Sequence, residues 1–209
     1  MGHTIALLVS GASGMLLPRH FLARLAALET VEKVHLVVSA GASRVLVHEL
    51  GAGRSSAADL VEAAALSPGE RQKVTLHRNN DLAAPIASGS YPLRGTVVLP
   101  ASAGTLGALA TGSARTLIHR AGAVALKERW PLILGFRETP LSLVHLENLR
   151  RLAYAGATIL PPIPAFYIAP EGGPGEDGSL GRFLDHYALR VFDHLGLEEK
   201  GAPGLRWGG

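Results

Sequence analysis

The side chains best placed to do chemistry gather in residues 120–149, RAGAVALKERWPLILGFRETPLSLVHLENL. Arg120, Lys127 and Arg137 bring cations to both sides of an apolar run, and Glu138 follows Arg137 directly. WPLILGF reads as a buried strand, so Arg137 and Glu138 fall just beyond its carboxyl end, where open α/β sheets bind ligands. In one reading the three cations form a pocket for a phosphate leaving group, and Glu138 is a proton carrier whose acidity they tune. In the plainer reading Lys127 and Arg129 are solvent-facing cations that favour the dipole at a helix end. For Arg129 the plainer reading is preferred; for the other cations both stand.

Two turns offer backbone donors. Ser10-Gly11-Ala12-Ser13-Gly14 follows the first apolar run and leads into a helix, so its N–H groups and the positive helix end face a phosphate, with the Ser13 hydroxyl beside them. It is neither GxGxxG nor a Walker loop, and a tight strand-to-helix turn explains it equally well. The run GTVVLP ends in Pro100-Ala101-Ser102-Ala103-Gly104-Thr105, again small and hydroxylic residues before a helix. Two such strand ends suit a phosphorylated planar cofactor better than one. Ser39 ends the KVHLVVS run, and Glu49 follows in a short helical stretch beside His48; taken singly, Glu49 is also read as a solvated helix carboxylate. The nine histidines show no HxxxH or HExxH spacing, so no metal site is expected.

These residues need a scaffold. The apolar runs TIALLVS, KVHLVVS, GTVVLP, PLILGF and ATILP, unbroken and rich in Val, Ile and Leu, suit parallel strands covered on both sides. Met15 to Leu28 puts Phe21, Leu22, Leu25 and Leu28 on one helical face, and Leu180 to Leu195 does so with Phe183, Leu184, Tyr187, Val191 and Leu195. The expected fold is α/β: a single-domain doubly wound (Rossmann-like) parallel sheet with helices on both faces. The domain spans 1–209, with a C-terminal helix at about 180–196 and a short tail at 197–209. Asn79 to Leu93 and Ala169 to Gly181 read as loops; the first carries Ser88, Gly89 and Ser90 and either closes over a ligand or is a surface excursion.

Composition narrows the function classes. A net charge of +3 with dispersed basic residues and 5% aromatics argues against nucleic acid. No apolar run approaches a membrane span and the start lacks a secretory pattern, so a soluble, cytoplasmic protein is expected. The chain has no cysteine, which removes thiol nucleophiles and thiolate metal sites. A hydrophobic content of 47% suits a subunit that buries surface against copies of itself.

The motifs GASG at 11–14, SGS at 88–90, RAxxVxLKE at 120–128, REtPlSlxHLENL at 137–149 and LPPiPAFY at 160–167 resemble those of the UbiX-type flavin prenyltransferases, a branch of the flavoproteins that also contain cysteine decarboxylases. The resemblance covers nearly the whole chain. It implies an enzyme that joins a dimethylallyl group from dimethylallyl phosphate to N5 and C6 of reduced FMN, without a metal, and supplies prenylated FMN to UbiD-type decarboxylases. It implies that Gly11, Ala12, Ser13, Ser39, Ser102, Ala103, Gly104, Thr105, Arg120 and Arg137 hold FMN. Ser88, Gly89, Ser90, Lys127, Tyr167 and Arg190 would surround the prenyl phosphate, with Arg182 as the alternative to Arg190. Ser13, Glu49, Lys127 and Glu138 would be catalytic. It also implies a homo-oligomer, typically a dodecamer. Two departures stand out: Leu82 where many members have tryptophan, and Gly104 where PASANT-type cysteine decarboxylases have asparagine. Decarboxylation of a cysteinyl compound and a non-catalytic FMN carrier are the alternatives within the fold.

Overall fold

Apolar runs without a polar alternation become strands only where both sheet faces are dry, and here both are. The computed structural model describes residues 2–51, 53–165, 179–199 and 205. In chain order the strands are β1 His3–Val9, β2 Val31–Val38, β3 Val74–Arg78, β4 Gly95–Ala101, β5 Leu132–Phe136 and β6 Thr158–Ile159. They form one six-stranded sheet in the order β3-β2-β1-β4-β5-β6, with every pairing parallel. The order reverses between β1 and β4, so the loops leaving these two strands diverge and open a crevice at the carboxyl edge.

The helices are α1 Leu16–Ala27, α2 Ala40–Leu50, α3 Ala57–Ala63, α4 Pro68–Gln72, α5 Ala103–Ala110, α6 Leu117–Glu128, α7 Leu143–Tyr154 and α8 Ser179–Leu195. Ile5, Leu7, Val9, Leu36, Val97, Leu99 and Ile133 point to one face, where Phe21, Leu22, Leu46, Leu60, Val191 and Phe192 cover them. The alternate residues Ala6, Leu8, Val37, Val98, Leu132 and Leu134 pack beneath Ile86, Leu106, Leu109, Ile118, Ala121 and Leu152. β1, β2, β4 and β5 thus each feed two cores through their two-residue period.

α8 is seated on α1 by the Phe21 and Phe192 rings, 5.4 Å apart and tilted by 37°. Arg24 of α1 pairs with Asp185 of α8 and, at 2.6 Å, with Glu199 beyond it. The Tyr187 hydroxyl donates to the Leu160 carbonyl at 2.7 Å, fixing α8 to the segment after β6.

Two features depart from the sequence reading. β3 is absent from the apolar runs because it is an edge strand whose VTLHR carries polar residues to half-exposed positions. The Asn79–Leu93 loop contains a 3-10 turn, Pro85–Ala87, whose Ile86 and Ala87 are buried, so the segment covers the sheet instead of leaving it. α7 is unusual in the opposite sense. It buries Leu152 but leaves Leu143 and Val144 74% and 67% exposed, an apolar strip that one subunit does not cover. Among the described residues no helix is long and apolar enough to cross a membrane.

Phe192 is fully buried where α8 meets α1. Phe192→Ala is expected to remove about 3–5 kcal/mol of stability through lost burial and a cavity, read from the midpoint of urea denaturation.

Candidate active site

The carboxyl ends of β1 and β4 are bound through one hydroxyl. Ser10, 2% exposed, donates from Oγ to the Pro100 carbonyl at 3.0 Å and accepts from the Ser102 N–H at 2.7 Å. Ser102 then caps α5, its Oγ accepting from Thr105 N–H at 3.3 Å and donating to Thr105 Oγ1 at 3.1 Å. The small residues of Ser102–Thr105 therefore form the first turn of α5, with its free N–H groups at the crevice. A methyl group on Gly104 would meet nothing within 4 Å.

The β1–α1 turn lies against the β2–α2 turn. A Cβ on Gly11 would stand 2.8 Å from the Gly41 backbone, so neither backbone could approach this closely with a side chain between them. Ser39 caps α2, its Oγ accepting from Ala42 N–H at 3.0 Å. Met15, at the N-cap of α1, offers the helix no side-chain cap. Its cap comes from Glu49 of α2, whose carboxylate accepts from Met15 N–H at 2.7 Å and Gly14 N–H at 3.0 Å. Burial alone would raise the Glu49 pKa; the N–H of Met15, the Ser13 hydroxyl, the N–H of Gly14 and the charge of Arg137 outweigh it and hold the carboxyl below the ordinary range. Glu49 is thus an ionised acceptor on the Ser13 turn, within electrostatic reach of Arg137.

Arg137 and Glu138 are exposed just beyond β5, with Glu138 accepting from the Thr139 N–H at 3.2 Å. Ser142 and His145 then close a reciprocal cap on α7. Beside Ser39, a cleft of about 730 Å³ opens between α2, α3 and the end of β3, lined by Ser43, Ser56, His77, Arg78 and Arg115. The sequence reading missed these residues, together with Gly41 and the bridging role of Ser10. The only signals were a glycine two residues after Ser39, an arginine after a polar run and another in a polar loop.

The remaining candidates lie elsewhere. α6 runs antiparallel to the strands, so its last turn, with Lys127, is about 15 Å along the helix from its start at the carboxyl edge. There Lys127 Nζ pairs with Glu128 at 2.5 Å, and a Cβ on Gly89 would come within 3.0 Å of that Nζ. The Ser88–Gly89–Ser90 loop is therefore with Lys127, while Gly11–Ser13, Ser39, Glu49, Ser102–Thr105, Arg137 and Glu138 are at the opposite edge. Within one subunit Lys127 and Arg137 thus stand at opposite ends of strand β5, so one chain alone does not assemble the cationic pocket read from the sequence. Arg120, two turns before Lys127 on the same face of α6, donates from Nε to the Ala87 carbonyl at 2.9 Å. Arg190 lies exposed on α8 and donates to Asp193 at 2.8 Å. Arg182 is on the first turns of that helix, and Tyr167 lies outside the described residues. Leu82 is half-exposed. Among the described residues no group of three His, Cys, Asp or Glu side chains is arranged to hold a metal.

A profile of the flavoprotein family matches residues 1–186. The flavin prenyltransferase UbiX of Deinococcus radiodurans is 42% identical over 198 residues, which are 95% of this chain and 89% of that protein. The crystal structure of AnUbiX in complex with FMN and dimethylallyl pyrophosphate superposes with a TM-score of 0.81 at 34% identity, covering 100% of this chain and 99% of that one. A dodecameric FMN-dependent UbiX-like decarboxylase from Escherichia coli gives a TM-score of 0.80 at 35% identity, covering 99% and 100%.

The Glu49 cap makes a signed prediction. A carboxyl whose folded pKa is depressed stabilises the fold above its unfolded value, about 4.3, and loses that contribution as pH falls through the lower folded value. Glu49→Gln should therefore melt below the wild type at pH 7, and the gap should close in thermal scans carried below about pH 4.

Proposed function

Because the chain belongs to the flavoprotein family, on its UbiX-type flavin prenyltransferase branch, we propose that it transfers a dimethylallyl group from dimethylallyl phosphate to N5 and C6 of reduced FMN. The product, prenylated FMN, serves a UbiD-type decarboxylase. The observation that carries this reading is the crevice between β1 and β4. It offers capped helix starts, an ionised Glu49 on the Ser13 turn, and Arg137 beside it.

The residues fit FMN. The open space in front of Gly104 leaves room for a flat ring against the first turn of α5. The Ser39 turn and the cleft with Arg78 and Arg115 suit an anionic tail. When bound, reduced FMN would supply two nucleophilic positions, N5 for prenyl C1 as its C–O bond to phosphate breaks, and C6 for C3 as C2 takes a proton, with the N5 and C6 protons released. The chain's task is to assist cleavage of the allylic C–O bond, which puts positive charge on the prenyl carbons and negative charge on the departing phosphate. Lys127, Arg120, Arg137 and Arg190 are the fixed cations for that phosphate. Glu49, already ionised, accepts a proton through Ser13, and exposed Glu138 exchanges protons with solvent. Tyr167 completes the prenyl phosphate site. Such an enzyme works in the cytoplasm, where reduced flavin is made available.

Cations on opposite edges of one sheet can serve one reaction only if another copy supplies half of them. The exposed Leu143 and Val144 of α7 provide apolar surface for such contacts, in keeping with the dodecameric assembly of the Escherichia coli relative. Each active site then takes Ser13, Glu49, Arg137 and Glu138 from one subunit and Lys127 with the Ser88–Ser90 loop from another.

Anaerobic incubation with reduced FMN and dimethylallyl monophosphate should yield a flavin heavier by one prenyl unit in mass spectrometry, and Lys127→Ala and Glu138→Gln should each reduce its formation by about 100-fold or more. Unmodified flavin with both the monophosphate and the diphosphate would overturn the assignment in favour of decarboxylation or flavin carriage. Subunit sharing has its own test. Co-assembled Lys127→Ala and Glu138→Gln subunits should recover roughly a quarter of wild-type activity, since random mixing leaves that share of sites with both native residues. No recovery would put both residues in one subunit's site.

A further inference from the structure

His35 is a histidine where an aliphatic residue would serve the fold. It sits in the middle of β2, paired with Ala6 of β1 and Thr75 of β3, and is 2% exposed. Burying an imidazole costs free energy unless both nitrogens find partners, and both do. Nδ1 lies 2.7 Å from His77 Nε2 on β3, and Nε2 lies 3.0 Å from the Tyr91 hydroxyl. The His35 and Tyr91 rings meet edge to face, with centroids 5.4 Å apart.

With both imidazoles neutral the chain of bonds can run either way, from Tyr91 through His35 to His77 or from His77 through His35 to Tyr91, as the tautomers set it, and His77 lines the cleft beside β3. One added proton, on His77, leaves only the direction from His77 to Tyr91 and breaks no bond; a second would set two N–H groups against each other across 2.7 Å. Burial, with His77 and Lys33 close by, pushes His35 down to about 4, so it is uncharged near neutrality. Burial likewise holds His77 below the ordinary imidazole range, with the Asp81 charge opposing it.

Tyr91 directly follows the Ser88–Gly89–Ser90 loop. Within the loop, the two serine hydroxyls bond to each other at 2.8 Å and Tyr91 N–H reaches the Ser88 carbonyl at 3.3 Å. These bonds shape the loop but do not fix it to the protein. The ties to the body flank it: Arg120 on the Ala87 carbonyl before it, and Tyr91 on His35 after it. Between those ties Gly89 leans on the Lys127–Glu128 pair so closely that a side chain there would collide with the Glu128 carboxylate.

We infer that Tyr91, anchored through His35 to His77, is a positioning residue that holds the Ser88–Ser90 loop against Lys127 and so sets where that ammonium meets the phosphate of the prenyl donor. The inference rests on the proposed prenyl transfer for its substrate, but the tether itself is independent of it. No bond is made or broken at Tyr91; it acts through the loop.

The test uses Tyr91→Phe, which keeps the ring and removes the hydroxyl, with His77→Ala and the double variant, all as full-length protein. Backbone amide exchange at Ser88–Tyr91 should quicken about fivefold in Tyr91→Phe, the worth of one net hydrogen bond. The KM for dimethylallyl monophosphate should rise by a similar factor, about fivefold, with kcat and FMN affinity within about twofold. The double variant should be no worse than Tyr91→Phe, because both substitutions cut the same chain of bonds. Additive effects would mean separate packing defects and overturn the relay. Faster exchange with an unmoved KM would overturn the positioning role, and unchanged exchange would overturn the tether. If the wild type transfers no prenyl group, the substrate part falls with the proposed function, while the exchange data still decide the tether.

Discussion

The geometry of the crevice depends on the Ser10 hydroxyl. It is buried between the ends of β1 and β4, the two strands whose loops must diverge, and it is bonded to the backbone on both sides. A buried hydroxyl with two short backbone partners is costly to disturb, since either backbone group would be left unpaired. The result is a fixed distance between the Gly11–Ser13 turn and the first turn of α5. On the far side, the Gly11 and Gly41 backbones come within contact distance and fix the β2–α2 turn as well. Three loop starts are thereby held as one rigid rim.

On that rim the electrostatics follow from a borrowed cap. α1 lacks a polar residue at its own start, and Glu49 reaches over from α2 to satisfy its first N–H groups. The same contact does two jobs: it locks α2 to α1, and it keeps a carboxylate ionised next to Ser13 and Arg137. A carboxylate stabilised by several donors is a weak base. Its use as a proton acceptor therefore calls for substrate to displace some of those donors, and Ser13, whose hydroxyl is one of them, is the natural intermediary.

A doubly wound sheet has a carboxyl edge and an amino edge, and antiparallel helices carry chemistry from one to the other. Lys127 is at the wrong end of α6 to meet Arg137 within a subunit, yet it has its own well-built surroundings: Glu128, Gly89 and the tied loop. Such careful construction around an exposed lysine, far from the crevice, makes sense when the lysine belongs to a neighbour's site. The uncovered leucines and valine of α7 point the same way, because an apolar strip that remains wet in one subunit is energetically unfavourable.

The sequence by itself determined the fold class and most of the parts. Short unbroken apolar runs rich in Val and Ile and bounded by turns suit strands with two dry faces, and the glycine and serine turns after β1 and β4 are local signals that survive without a structure. Family motifs named Ser13, Lys127, Arg137 and Glu138 because those residues occur in short contiguous patterns, while Glu49, outside those motifs, was implied only by the resemblance along the chain. What the sequence did not reveal depends on contacts between distant segments. β3 escaped because an edge strand needs no apolar face. Gly41 and Ser10 gained their roles only from the close approach of separate turns, and the His35–His77–Tyr91 chain joins two strands and a loop that lie up to 56 residues apart. Tertiary structure alone decided which cations share an edge, since neighbours in sequence on either side of a strand, such as Lys127 and Arg137 around β5, end up at opposite ends of the sheet.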